Sequence, residues 1–188
     1  MTSRNPHTVP HEPYFPPYWS PNRSYQAPSK KKAIVSKSEE SLPDELVAEI
    51  VDVYDGDTMT ARIDTGQQIK IRLYGVDCPE KNQVFGKEAT QFSENSCMGK
   101  SVHLQVLSRD RYGRYIVRVN LRDSVYFNLE LLSEGLAHWD KNYAPNDAIL
   151  REEEVKAKAE KKGLWALPNP VSPSDFRNGE AIRARRGG

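Results

Sequence analysis

The sequence predicts a mainly β protein, a small five-stranded Greek-key barrel with about three helices and a disordered tail at each end. Three observations support this α+β class. Short alternating apolar segments are separated by glycine turns, helical segments come later in the chain, and both ends are polar and lack a hydrophobic period. A chain of 188 residues is long enough for one domain that folds without disulfides or metals as staples.

Composition excludes several classes of protein. Hydrophobic residues make up 37% of the chain, and no apolar run approaches the ~20 residues that span a bilayer. Two cysteines, Cys78 and Cys97, exclude a disulfide scaffold, although a single bridge between them stays open. The formal net charge of +1 does not indicate nucleic-acid binding through bulk charge. Any binding of anions must therefore depend on locally placed arginines or on a bound metal.

Three segments divide the chain. Residues 1–44 are rich in proline and serine with interleaved aromatics, and we expect a tail that is either solvated or docks an unknown partner. Residues 45–168 form the folded domain, and residues 169–188 form a basic C-terminal tail. No apolar stretch follows a basic start, so no secretory signal is visible and the cytoplasm is the default expectation. A monomer is likewise the default expectation.

The middle segment contains all the predicted strands and helices. Strands are expected at residues 46–54, 58–64, 68–76, 101–107 and 115–121. The first three are joined by tight glycine turns and form a meander. Helices are expected at residues 86–98, 126–134 and 146–162, and each is followed directly by a glycine.

Three polar motifs interrupt these elements. They are Asp55-Gly56-Asp57-Thr58, the segment from Arg72 to Glu80, and Asp110-Arg111-Tyr112-Gly113-Arg114. Each alone is typical of a turn or an exposed strand end. Together they indicate a shared site. The hairpin formed by the second and third predicted strands brings Asp57, at the start of one strand, and Asp77, after the other, to the same end of the barrel. Two converging carboxylates repel each other unless a hard cation such as calcium lies between them.

Further polar residues complete a hydrolytic set. Glu80 lies three residues beyond Asp77, where its carboxylate could orient or deprotonate a water molecule. Arg72 and Arg114 offer planar guanidinium groups that suit two phosphate oxygens. A metal, a base and two arginines are the groups needed for attack of water on a phosphodiester.

Residues of about 46–167 resemble the staphylococcal nuclease family. Four segments carry the resemblance, in family order: VYDGDTMTARI, IRLYGVDCPE, DRYGR and GLAHWDKNYAPN. The resemblance implies an OB-type barrel. It also implies calcium-dependent hydrolysis of single-stranded DNA and RNA at the 5′-oxygen, which leaves 3′-phosphate products.

The resemblance assigns the metal ligands. Asp57 and Asp77 match calcium-binding carboxylates, and Cys78 matches a position that contributes its backbone carbonyl. Asp55 matches an acid that lies near these ligands without binding the ion.

The resemblance also assigns the catalytic groups. Arg72 and Arg114 match the arginines that hold the scissile phosphate and stabilise the five-coordinate transition state. Glu80 matches the general base, acting either as the true base or by positioning the water.

Substrate contacts follow from the same resemblance. Asp110, Arg111 and Tyr112 match the turn beside the substrate, where Arg111 and Tyr112 contact a terminal phosphate. The family has two tyrosines in its base pocket, and this chain has Lys141 and Tyr143 there. Base preference is therefore expected to differ from that of the family prototype, because aromatic stacking holds bases.

An alternative stays open, since a barrel of this kind can bind nucleic acid or protein without cleaving it. The presence of all the catalytic groups favours the enzyme. His103 and His138 have no partner at metal-ligand spacing and are expected to be structural rather than zinc ligands. Trp139 and Trp165 are expected to pack in or near the core.

Overall fold

The structure of the protein, a computed structural model, describes residues 42–121 and 125–186, with the side chains of 180–186 left aside. The tail predicted for residues 1–44 lies outside this described part except for its last three residues. No helix in the described ranges is both long and apolar enough to cross a membrane.

Seven strands and four α-helices make up the described part. The strands are β1 (Glu45–Val53), β2 (Thr58–Ile63), β3 (Gln68–Leu73), β4 (Val76–Asp77), β5 (Ser101–Arg109), β6 (Tyr115–Asn120) and β7 (His138–Trp139). The helices are α1 (Gly86–Cys97), α2 (Phe127–Ser133), α3 (Ala148–Ala159) and α4 (Pro173–Arg186).

Five strands close into a barrel in the order β1-β2-β3-β6-β5, which confirms the predicted fold class. The meander β1-β2-β3 is antiparallel, and β5 pairs antiparallel with both β1 and β6. The only parallel pair among the described strands joins β3 to β6 and aligns Arg72 with Ile116. Inward-facing residues alternate along each strand, as Ile69, Ile71 and Leu73 do along β3.

The third predicted strand is shorter than expected. The sequence predicts a strand over residues 68–76, whereas β3 ends at Leu73 and β4 starts again at Val76. Gly75 between them has a φ of 72°, a left-handed conformation that breaks the strand. β4 then pairs with β7, so Asp77 lies on a separate two-stranded sheet opposite His138.

The C-terminal segment also differs from expectation. We expected residues 169–188 to form a basic tail, but Pro173–Arg186 form α4. Ser172 caps this helix, since its Oγ accepts a hydrogen bond from the Asp175 N–H at 3.1 Å and donates one to the Asp175 carboxylate at 2.7 Å. Proline in the first helical position suits such a start because it has no N–H to satisfy.

Asn128 joins α2 to the barrel. Its side chain is fully buried, and its Oδ1 accepts a hydrogen bond from the Val119 N–H at 3.0 Å. Its Nδ2 donates to the carbonyls of Tyr74 at 2.9 Å and Val117 at 3.3 Å. One amide thus satisfies three backbone groups, two on β6 and one on the turn that leads to β4.

Replacing Asn128 with Ala should lower the free energy of unfolding by about 3 kcal/mol, because buried backbone groups lose their partners. Urea denaturation followed by circular dichroism measures this change. Asn146→Ala is the matched control, since Asn146 is exposed. Equal effects of the two substitutions would show that the amide network does not stabilise the fold.

The loop from Glu80 to Gly86 is tightly closed. The Gln83 N–H donates to the Glu80 carbonyl at 2.8 Å, and the Gly86 N–H donates to the Gln83 carbonyl at 2.9 Å. A Cβ at position 86 would collide with the Glu80 carbonyl oxygen. Only glycine therefore allows α1 to begin so close to the loop.

Gly86→Ala should lower the free energy of unfolding by about 2 kcal/mol, because the new methyl group displaces the Glu80 peptide. Gly66→Ala is the control, since a Cβ there meets no atom within 4 Å and only the φ of 83° is unfavourable. Chemical denaturation should give the control a smaller loss of about 1 kcal/mol. A cost at Gly86 no larger than the control's would contradict the close contact.

Candidate active site

The acidic turn between β1 and β2, at residues 55–57, is held in place by the Asp55 side chain and by α1. Asp55 Oδ1 accepts hydrogen bonds from the N–H groups of Asp57 at 3.1 Å and Thr58 at 2.7 Å. From α1, the buried Ser93 hydroxyl donates to the Gly56 carbonyl at 2.7 Å. Burial raises the pKa of Asp55, although the nearby Arg72 guanidinium opposes that shift. The turn therefore fixes the position of Asp57 at one end of the barrel.

Asp57 is only 2% exposed, and each of its oxygens has a partner. Oδ2 accepts a hydrogen bond from the Cys78 N–H at 2.6 Å, and Oδ1 accepts one from the Thr58 hydroxyl at 3.2 Å. Oδ1 also forms an ion pair with Arg72 Nη1. The carboxylate is thus held between the β1–β2 turn and the backbone that follows β4.

Asp77 converges on the same arginine. It is 8% exposed, and its Oδ1 accepts a hydrogen bond from Arg72 Nη2 at 2.8 Å. Arg72 itself is largely buried, with 15% of its side chain exposed. The structure therefore places two buried carboxylates, Asp57 and Asp77, around one guanidinium, at the barrel end where the sequence analysis expected them.

The donor atoms at this site suit a hard cation. The two converging groups are carboxylates, and calcium prefers oxygen ligands. Within the described ranges, no group of three or more His, Cys, Asp or Glu side chains is placed to hold a metal ion. The side chains of Asp57 and Asp77 would thus need oxygen ligands from the backbone, water or substrate.

Cys78 lies next to both carboxylates. Its N–H binds Asp57, which places its peptide beside the carboxylates. Burial raises the pKa of the Cys78 thiol. Cys78 and Cys97 are both buried and free, so the bridge that the sequence left open is not formed.

Glu80 joins this cluster through a residue that the sequence analysis did not identify. Arg177, on α4, donates from Nη1 to Glu80 Oε1 at 2.5 Å and from Nη2 to Asp77 Oδ2 at 3.2 Å. Burial lowers the pKa of Arg177, but the hydrogen bond to Glu80 and the proximity of Asp77 outweigh burial and raise it. Asp77 and Glu80 thus lie within hydrogen-bonding distance of one guanidinium.

The hairpin between β5 and β6 is organised by Asp110. Its Oδ1 accepts hydrogen bonds from the N–H groups of Tyr112 and Arg114, both at 2.9 Å, and its Oδ2 accepts one from Arg114 Nε at 2.8 Å. Partial burial raises the pKa of Asp110, but these hydrogen bonds outweigh it and lower the pKa. Arg114 therefore contacts Asp110 rather than the carboxylates of Asp57, Asp77 or Glu80.

Register nevertheless relates Arg114 to Arg72. Ile116 is aligned with Arg72 across the parallel pair, and Arg114 lies two residues before Ile116. Arg114 itself lies in the hairpin directly before β6, and the residue after it, Tyr115, aligns with Ile71 beside Arg72.

Exposed aromatic side chains lie beside this hairpin. Tyr112 and Tyr143 are 70% and 69% exposed. Arg111 donates to the Tyr112 hydroxyl at 2.7 Å, and this hydrogen bond, together with nearby Tyr143, raises the pKa of Arg111. The guanidinium of Arg114 also lies 5.6 Å from the centre of the Tyr112 ring.

Asp140 is a further acid that the sequence analysis missed. Its Oδ1 accepts hydrogen bonds from the N–H groups of Asn142 at 3.1 Å and Tyr143 at 3.3 Å, which shapes the loop that presents Tyr143. Burial and the charge of Asp77 both raise its pKa. The sequence signal was an aspartate two and three residues before those N–H groups, which is typical of an Asx turn.

His138 and the two tryptophans make packing and hydrogen-bond contacts. The His138 ring packs edge-on against Trp165, with ring centres 4.7 Å apart. The Trp139 indole N–H donates to the Ala144 carbonyl at 3.0 Å. Burial lowers the pKa of His138. These contacts anchor β7 and the segment after α3.

Sequence comparison with known proteins finds a matching family and several relatives of this chain. The family model described as staphylococcal nuclease homologue matches residues 70–167. An uncharacterized endonuclease of Haemophilus influenzae is 35% identical over 133 residues, covering 71% of this chain and 74% of that protein. A micrococcal nuclease of Shigella flexneri is 32% identical over 139 residues, covering 69% of this chain and 79% of that protein.

The family match covers part of the barrel and part of the site. It begins within β3 and includes the residues from Asp77 to Glu80, the Asp110 hairpin and α3, whereas Asp55 and Asp57 precede it. The closed five-stranded barrel agrees with the family to which both comparisons point. The chain is a member of the staphylococcal nuclease family, and its relatives mark it as a nuclease.

Proposed function

We propose that this nuclease hydrolyses single-stranded DNA and RNA in a calcium-dependent reaction, cleaving at the 5′-oxygen and leaving 3′-phosphate products. The observation that carries the proposal is the convergence of the Asp57, Asp77 and Glu80 carboxylates on two shared guanidinium groups. The three acids carry one more negative charge than the two guanidinium groups neutralise, and a bound divalent cation would supply further positive charge.

Asp57, Asp77 and the backbone carbonyl of Cys78 are the residues that would hold the ion. Asp57 and Asp77 are buried and therefore cannot rely on water to screen their charges. When bound, calcium would supply positive charge that offsets the negative charge of the phosphate. Asp55 supports this arrangement through the turn that orients Asp57, without itself binding the ion.

In this proposal Glu80 acts on the attacking water. Its side chain is 32% exposed, so water reaches it, while its loop is closed by hydrogen bonds to Gln83. The Glu80 carboxylate orients the water and accepts its proton as the oxygen attacks phosphorus. The 5′-oxygen leaves on the opposite side of the phosphate.

In this proposal Arg72 and Arg114 bind the phosphate. Arg72 already uses Nη1 and Nη2 on the carboxylates, and a guanidinium has five N–H donors, so donors remain for phosphate oxygens. Arg114, in the hairpin before β6, would release Asp110 to reach the substrate. Such contacts stabilise charge that develops in the transition state.

The exposed tyrosines suit an unpaired strand. Tyr112 and Tyr143 present open rings next to Arg111, and bases stack on such rings with about 1–3 kcal/mol each. Duplex bases are already stacked on one another and cannot use these rings. This arrangement supports a preference for single strands, with Lys141 altering base preference.

The first test is cleavage of a single-stranded DNA oligonucleotide by the full chain with calcium and with chelator. We expect cleavage that depends on calcium and falls by about 100-fold or more in Arg114→Ala, because a transition-state contact is lost. Gel electrophoresis measures the rate, and enzymatic extension of the products reports whether their 3′ ends carry phosphate.

Arg62→Ala is the matched control, since Arg62 is a barrel arginine that pairs with Glu49 at the surface. It should cleave at the wild-type rate. Full activity in excess chelator would refute the calcium requirement, and an unchanged rate in Arg114→Ala would remove that residue from the site. Binding of the oligonucleotide without cleavage would indicate a binding module instead.

Glu80→Gln should reduce hydrolysis by about 100-fold or more while calcium still binds, because the amide accepts no proton. Calorimetric titration of calcium and cleavage assays on the same sample separate the two effects. Loss of calcium binding would instead identify Glu80 as a ligand.

A further inference from the structure

The C-terminal helix reaches directly into the site. Arg177 lies near the start of α4, and its guanidinium contacts both Asp77 and Glu80. Both oxygens of Asp77 are within reach of it, Oδ2 at 3.2 Å and Oδ1 at 3.5 Å. The groups proposed to hold the ion and to activate water are therefore bound by the chain's own arginine.

A second contact fixes α4 over the same loop. The Gln83 side chain accepts a hydrogen bond from the Glu80 N–H at 3.2 Å and donates one to the Val171 carbonyl at 2.7 Å. Val171 lies directly before the Ser172 cap, and Pro173 is buried. The start of α4 is therefore attached to the loop that carries Glu80, at a point separate from the Arg177 ion pairs.

The charges at the site show that Arg177 supplies positive charge in the place of a bound cation. Asp57, Asp77 and Glu80 carry three negative charges, and Arg72 neutralises one of them between Asp57 and Asp77. Arg177 supplies a second positive charge between Asp77 and Glu80. A bound divalent cation would supply that compensation itself and would need the Asp77 oxygens that Arg177 occupies.

We propose that α4 is an autoinhibitory element, in which Arg177 competes with the divalent cation for Asp77 and with the attacking water for Glu80. The inference rests on the proposed function, because it assigns regulation to the same site. Cation binding must displace Arg177, and loss of Arg177 must favour cation binding.

The ion pairs of Arg177 with Asp77 and Glu80 can be broken readily. Half of the Arg177 side chain, 49%, is exposed, so water screens its ion pairs and makes each one weak. A divalent ion between buried carboxylates gains more from the same oxygens than a screened guanidinium does. The apparent affinity for the ion is then reduced by the fraction of molecules in which Arg177 is bound.

Calorimetric titration of calcium into the metal-free full chain tests the competition. Arg177→Gln should bind calcium about fivefold more tightly than wild type, which is the effect of removing a partly exposed ion pair. Arg151→Gln, which removes an exposed arginine from α3, should bind calcium like wild type. Equal affinities in Arg177→Gln and wild type, or no calcium binding in either protein, would overturn the inference.

Hydrogen–deuterium exchange of the α4 amides gives a readout that is independent of activity. In wild type, saturating calcium should accelerate exchange in residues 174–179, and Arg177→Gln should show the faster exchange without calcium. Arg151→Gln should keep the slow exchange of wild type. Unchanged exchange in wild type on calcium binding would show that α4 and the ion do not compete.

The two proposals fail in different ways. Calcium-dependent cleavage with identical calcium affinities in wild type and Arg177→Gln overturns autoinhibition and leaves the nuclease proposal intact. Tighter calcium binding and faster exchange in Arg177→Gln, without cleavage by either protein, support the competition and overturn the proposed reaction.

Discussion

The site depends on one guanidinium held between two buried carboxylates. Asp57 comes from the turn between β1 and β2, Arg72 from β3 and Asp77 from β4, so one side chain joins three separate elements. Burying two carboxylates side by side is unfavourable unless positive charge compensates them. Arg72 supplies part of that charge. The same repulsion therefore explains why the barrel end needs Arg72, and it underlies the proposal of metal-assisted chemistry.

Much of this arrangement was predictable because it is encoded locally. Alternating apolar residues and glycine turns predicted all five barrel strands and three helices within a few residues of their observed bounds. The hairpin rule then predicted that Asp57 and Asp77 meet, since β2 and β3 pair with Thr58 opposite Arg72. Asp110 and Arg114 were also recognisable, because a tight turn fixes their mutual geometry within five residues.

Features that depend on distant contacts were not predictable. β4 is a two-residue strand whose partner β7 is just as short, so neither has a usable hydrophobic period. α4 carried a visible start signal in Ser172-Pro173-Ser174-Asp175, but it lacks an apolar stripe and its polar composition resembled a tail. Nothing near Arg177 in the sequence indicates that it meets Glu80, because the two residues are 97 positions apart.

The parallel pairing of β3 with β6 has a kinetic consequence. Arg72 aligns with Ile116 across this pair, and Glu45 aligns with Gln105 where β1 meets β5, so both closures join segments far apart in sequence. Joining segments that are distant in sequence costs chain entropy before any stabilising contact forms. Barrels therefore belong to the slower small folds, which fold in milliseconds to seconds. The barrel therefore closes late during folding. This late closure determines the order in which parts of the site form on the nascent chain. The contact between Asp57 and Arg72 can form within the hairpin of β2 and β3, whereas Arg114 comes near Arg72 only after β3 and β6 have paired.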